Sequence, residues 1–93
     1  MPKSTSSFET ERASRYLQAM CKHFAHKVEV NYDAEHGTAA MPYGTLNMHA
    51  HNGALHFEIE APDEQQLTRM KWIVVSHIVR FAFREKLQQL DWS

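Results

Sequence analysis

The chain of 93 residues carries seven histidines and one cysteine, and three groupings of them have spacings that could do chemistry. Cys21-x-His23-x-x-His26 offers thiolate and imidazole donors of the kind that zinc, copper(I) or iron takes, and a tetrahedral site needs about four of them. On a continuous helix, residues two apart are turned by roughly 200°. Cys21 and His23 therefore leave from different sides, whereas His23 and His26, three apart, can meet. Cys21 reads better as a small buried hydrophobe. His77 lies on the margin of an apolar helix stripe. It can approach His23 if two helices lie side by side, and with Lys22, Arg80 or Arg84 nearby the junction would hold an anion or a metal. The plainer reading is a histidine that hydrogen-bonds a backbone carbonyl or carboxylate and locks helix to helix.

The third grouping is His49, His51 and His56 with Glu58. An opposed His49–His56 pair can capture a divalent ion, since cross-strand Cβ atoms lie about 5 Å apart. Imidazoles on a solvated face are more often plain surface. Catalysis has less to build on. Cys21 with His23 or His77 is the one nucleophile–base pair, and no nucleophile elbow or oxyanion signature accompanies it. Gly37, Gly44 and Gly53 each fall in a turn, so no glycine-rich phosphate loop exists. Trp72, Phe81 and Phe83 could line a haem or flavin pocket, but aromatics at helical spacing more often form core. Arg80 and Arg84, four apart, share a helix face and could grip a carboxylate or phosphate on a partner.

Ten Lys and Arg balance eleven Asp and Glu, for a formal charge of −1. That balance removes the electrostatic case for nucleic acid or an anionic membrane surface. One cysteine excludes a disulfide framework and a cysteine-rich zinc fold. No apolar run approaches the ~20 residues of a membrane span, and no secretory signal is evident at the start, so the expectation is a cytoplasmic protein. The length fits one domain over residues 1–93, with 1–5 a disordered terminus.

The elements that must position these residues follow from periodicity. Thr10 reads as an N-cap, and Ala13, Tyr16, Leu17, Met20 and Phe24 recur at helical spacing toward Lys27. Val28, Val30 and Tyr32 alternate with polar residues as a strand. Asp33 to Gly37, His36 included, reads as a turn. Thr38 to Met41 is strand-like but interrupted at Pro42-Tyr43-Gly44, which suggests a bulge or corner on an edge. Asn52-Gly53 predicts a type I′ hairpin pairing Leu46–His51 with Ala54–Ile59. Its register puts Leu46, Met48, Ala50, Leu55, Phe57 and Ile59 on one face and the histidines on the other.

Pro62-Asp63 opens the last helix, expected to reach Gln88 or Leu90. Two apolar stripes run along it: Leu67, Met70, Val74, Ile78 and Phe81, then Trp72, Val75, Val79 and Phe83. A helix wet on one side needs one stripe, so the second predicts burial against the first helix or a partner, and makes a homodimer plausible. Together these elements predict an α+β fold: a two-layer α/β sandwich in the order α-β-β-β-α, with a short leading strand from Ser6 to Glu9 as an option. Both helices cover one face of an antiparallel sheet.

Three segments carry a family resemblance: Cys21-Lys22-His23-Phe24-Ala25-His26-Lys27, Pro42-Tyr43-Gly44, and Ser76-His77-Ile78-Val79-Arg80-Phe81-Ala82-Phe83-Arg84-Glu85. With Arg15-Tyr16-Leu17 and Trp92, they resemble the bacterial domain-of-unknown-function family numbered 2218, from about Phe8 to Trp92. The resemblance implies a small cytoplasmic bacterial domain without an assigned activity. Relatives are similar to domains found beside or joined to flavin-type ferric-siderophore reductases, which implies a link to iron metabolism.

The expected function is therefore a non-enzymatic accessory or interaction domain, linked to iron or siderophore handling through the resemblance. The alternative is a metal- or small-anion-binding protein using His23, His26 and His77, with Cys21 a weaker fourth. No cofactor is expected unless that metal is one.

Overall fold

The computed structural model describes residues 2–87 and 89–93. Its frame is set by the Asn52-Gly53 turn, whose residues have φ of 51° and 72°, as a type I′ loop requires. The turn joins strand β4 (Gly44–His51) to β5 (Ala54–Glu60), with Leu46 opposite Ile59, His49 opposite His56 and His51 opposite Ala54, the expected register. Leu46, Met48, Leu55, Phe57 and Ile59 are buried on the helix side.

Three more strands complete the sheet: β1 (Lys3–Glu9), β2 (Glu29–Tyr32) and β3 (His36–Met41). The order is β1-β5-β4-β3-β2, and every neighbouring pair is antiparallel. Helices α1 (Ala13–Phe24) and α2 (Glu64–Phe81) pack on the sheet and on each other. The α+β class and the two-layer arrangement are as expected. The strand count is not: the order is β-α-β-β-β-β-α.

Two local causes account for the difference. Pro42 and Tyr43 are not a bulge or corner but the two-residue loop of a second hairpin, with Met41 opposite Gly44. A proline in a loop owes no hydrogen bond to the ladder, so β3 remains a full strand. His36 is consequently the first residue of β3, not a turn residue. At the other edge, β1 starts at Lys3 within the stretch expected to be disordered; it pairs with β5 from Lys3–Glu60 to Glu9–Ala54. Its outer side is pinned too, because Thr5 and Ser93 exchange two backbone hydrogen bonds, of 3.0 and 2.8 Å.

Both helices are shorter than periodicity suggests. Thr10 does not cap α1 directly. Its Oγ1 accepts from Arg12 N at 3.1 Å and donates to Glu85 at 2.8 Å, so a turn precedes the helix at Ala13. After Phe24, the amides of His26 and Lys27 bond to carbonyls three residues back, which tightens the chain out of the α-helix. Asp63 caps α2 by accepting from Gln66 N at 2.8 Å. The helix ends at Phe81, short of Leu90, and one 3₁₀ turn (Phe83–Glu85) closes at Lys86 with φ 59°. The alternative end at Gln88 lies outside the described residues. Glu85 explains the break: its carboxylate accepts from the Tyr16 hydroxyl and from Thr10, with Arg12 3.8 Å away. That anchor draws the chain back over α1.

The first stripe of α2 enters the core, with Leu67, Met70, Val74 and Ile78 buried. The second does not. Trp72 is 71% and Phe83 67% exposed, while Val75 and Val79 are half-buried. The expected burial against α1 is absent, because α1 lies beside α2 on the sheet and leaves the outer flank open.

Candidate functional site

The ends of α1 and α2 bring together the two histidines that the sequence placed 54 residues apart. The rings of His23 and His77 have centres 4.9 Å apart. Phe81 stands edge-on to His23 at 6.0 Å, and Phe24 lies 4.9 Å from His77. His77 Nδ1 is 2.6 Å from the carbonyl oxygen of Ile73. A carbonyl can only accept, so Nδ1 carries the proton and the lone pair of the neutral ring sits on Nε2. The bond is to a backbone carbonyl, as the plainer reading expected, but it lies within α2, so it fixes the ring without locking helix to helix and leaves one nitrogen free.

His23, His77, Arg80 and Phe81 line a small cleft of about 250 Å³. Partial desolvation and then the nearby charges of His77, Arg80, His26 and Lys27 hold the pKa of His23 below the ordinary 6.5. Positive potential of this kind opposes a second cation and favours an anion. The cleft also offers a metal only two donors, the imidazoles of His23 and His77, since arginine has no lone pair to give. Among the described residues, no group of three His, Cys, Asp or Glu is arranged to hold a metal ion.

The other candidates are dispersed. Cys21 is fully buried and packs against β3, where a methyl added at Gly37 would stand 2.5 Å from its Sγ. Burial pushes its thiol up to about 11, so it stays protonated at neutral pH and is a poor nucleophile or ligand. His26 and Lys22 are exposed and outside the cleft lining, although His26 adds to the charge felt by His23. Arg84 points into an adjoining groove of about 490 Å³ with Arg12, Arg15, Tyr16, Ala19, Phe81 and Phe83. Phe81 lines both hollows, so they form one cationic seam along α1 and α2. Sequence reasoning missed Arg12 and Arg15. The signal was the helical spacing of Arg15 with Ala19 and His23 on one face of α1, with Arg12 just before the helix.

On the opposite face of the sheet, His36, His49, His51 and His56 form a second cluster. The ring centres of His36 and His49 are 4.4 Å apart, those of His49 and His51 5.1 Å, and those of His49 and His56 6.3 Å. Asp33 accepts from the amides of Glu35 and His36, both at 2.8 Å, and lies 3.8 Å from His36 Nδ1. Partial desolvation, followed by His36, His51 and His56, lowers the pKa of His49.

Comparison with known proteins agrees with this architecture. The family model "Uncharacterized protein conserved in bacteria (DUF2218)" matches residues 5–93. The NMR structure of PA4090 from Pseudomonas aeruginosa is similar over 100% of this chain and 96% of its own, at 34% identity and a TM-score of 0.83. No curated protein matches.

Proposed function

The chain belongs to that bacterial family, and from this premise we propose that it is a non-enzymatic binding domain whose α1–α2 seam captures an anionic group. The observation that carries the reading is the 4.9 Å approach of His23 to His77 beside Arg80. Arg80 supplies a permanent charge with several donors. His77 gives its Nδ1 proton to Ile73, so Nε2 can donate to an oxyanion only after the ring takes up a proton. Desolvation and then the surrounding charges lower the pKa of His23, and an arriving anion opposes the effect of those charges.

Binding is therefore coupled to proton uptake. Affinity for a carboxylate or phosphate rises as pH falls from 8 toward 6, by up to about tenfold per pH unit for each histidine that charges. The link to iron or siderophore handling belongs to the same proposal, because an anionic iron chelate is one ligand whose charge fits the cleft. Calorimetric titration of tag-free protein with citrate and with inorganic phosphate, at pH 6.5 and 8, tests the reading. It predicts tighter binding at pH 6.5 and loss in Arg80→Ala and His77→Ala. Equal binding by wild type and Arg80→Ala would reject it.

A second, compatible reading is a protein partner or second copy on the open stripe of Trp72, Val75, Val79 and Phe83. The exposure of Trp72 and Phe83 favours it. Size-exclusion with light scattering tests the homodimer, and a monomer at high concentration would leave only another partner for the stripe.

A further inference from the structure

Four of the seven histidines share the sheet face turned away from the helices, and strand register is the reason. His36 is opposite His49 across β3 and β4, and His49 is opposite His56 across β4 and β5. His51 follows His49 by two residues on one strand, hence on the same face. The result is a row of three imidazoles on three adjacent strands, with a fourth beside its centre.

These backbone positions suit a metal ion. Zinc sits about 2.0–2.1 Å from a ligating imidazole nitrogen, so two rings on one tetrahedral ion have centres about 5 Å apart. The separations of 4.4 Å for His36–His49 and 5.1 Å for His49–His51 bracket that value. As the side chains stand, both pairs are stacked at 17°, and their nitrogens do not converge on one point. Convergence requires rotation of these surface side chains between staggered wells.

We infer that His36, His49 and His51 bind one divalent late first-row transition-metal ion such as Zn²⁺, with His56 or water in the remaining position. A His-x-His pair on one strand with a third histidine on its neighbour supplies the three imidazoles of an open zinc site. The local charge agrees. Together with His36, His49 and His56, Glu58 and Asp91 line a depression of about 700 Å³ that has no Lys or Arg among its described lining residues; His51 stands outside that lining. Asp33 stands beside His36, and Glu35 acts on His49. This is the reverse of the cationic seam on the helix side.

The test is calorimetric titration of tag-free, chelator-treated protein with ZnCl₂ at pH 7.5 in a non-coordinating buffer. One ion per chain is expected. His49→Ala, His36→Ala and His51→Ala should each weaken binding by about tenfold or more, while His77→Ala leaves it unchanged. Circular dichroism confirms that each variant is folded, and His49→Gln keeps the volume where His49→Ala does not fold. Absence of saturable binding would overturn the inference. So would unchanged affinity in His49→Ala, or in both His36→Ala and His51→Ala, the latter marking adventitious capture by the His49–His56 pair alone. Loss of binding in His77→Ala would place the ion on the other face and overturn it too.

Discussion

Gly37→Ala examines whether the long motif around Cys21 serves packing or chemistry. The added Cβ would stand 2.5 Å from Cys21 Sγ and 3.3 Å from Leu17 Cδ2. Both neighbours are fully buried. The thiol has one torsion by which to yield, and the core around it is full. Overpacking of this kind costs about 1–3 kcal/mol, and for a domain of this size each kcal/mol moves the melting midpoint by roughly 4–8 °C. Cys21→Ala alone removes one heavy atom, on the scale of a deleted methyl group, for about 1 kcal/mol. Combined, the new methyl occupies the space the sulfur left, so the double variant should be more stable than the sum of the single losses by about 1 kcal/mol or more. Thermal melts followed by circular dichroism measure all four members of the cycle. Strict additivity, or a Gly37→Ala protein as stable as wild type, would refute the placement of Cys21 beneath β3. It would also reopen the cysteine as a site residue.

Other consequences are open to measurement. Glu85→Ala removes the shared acceptor of Tyr16 and Thr10 and should cost about 2 kcal/mol in a denaturant titration, because bonds to a charged group are the stronger class. Stability should fall as pH drops below about 6.5. His23 and His49 have folded pKa values below the ordinary 6.5, so the unfolded chain binds more protons there and acid favours it. A flat profile of chemical denaturation between pH 7.5 and 5.5 would contradict this. Trp72→Ala should change monomer stability by no more than about 0.5 kcal/mol, because the ring is mostly in solvent. A larger loss in a melt at low concentration would mean the ring is covered.

The hairpin from Gly44 to Glu60 was legible in the sequence because one Asn-Gly pair fixes both turn and register. The core stripe of α2 was legible because period 3.6 is a local property. What failed depended on distant partners. The end of α2 is set by Glu85 reaching Tyr16, 69 residues away in the chain. The strand at Lys3 is held by β5 and by Ser93. Reading Pro42-Tyr43 as a corner rather than a loop hid the pairing of His36 with His49, and with it the fourth member of the sheet-face cluster. At the candidate site, the approach of His23 to His77 was foreseen as a consequence of side-by-side helices. The contribution of Arg12 and Arg15 was not, because periodicity marks a face without saying what it faces.

The binding account is tested most directly by titrating the imidazole resonances of all seven histidines by NMR, with and without saturating citrate. It predicts that citrate raises the pKa of His23 and His77, leaves those of His36, His49, His51 and His56 in place, and has no such effect in Arg80→Ala. Unmoved resonances of His23 and His77, or the same rise in the Arg80→Ala protein, would contradict it.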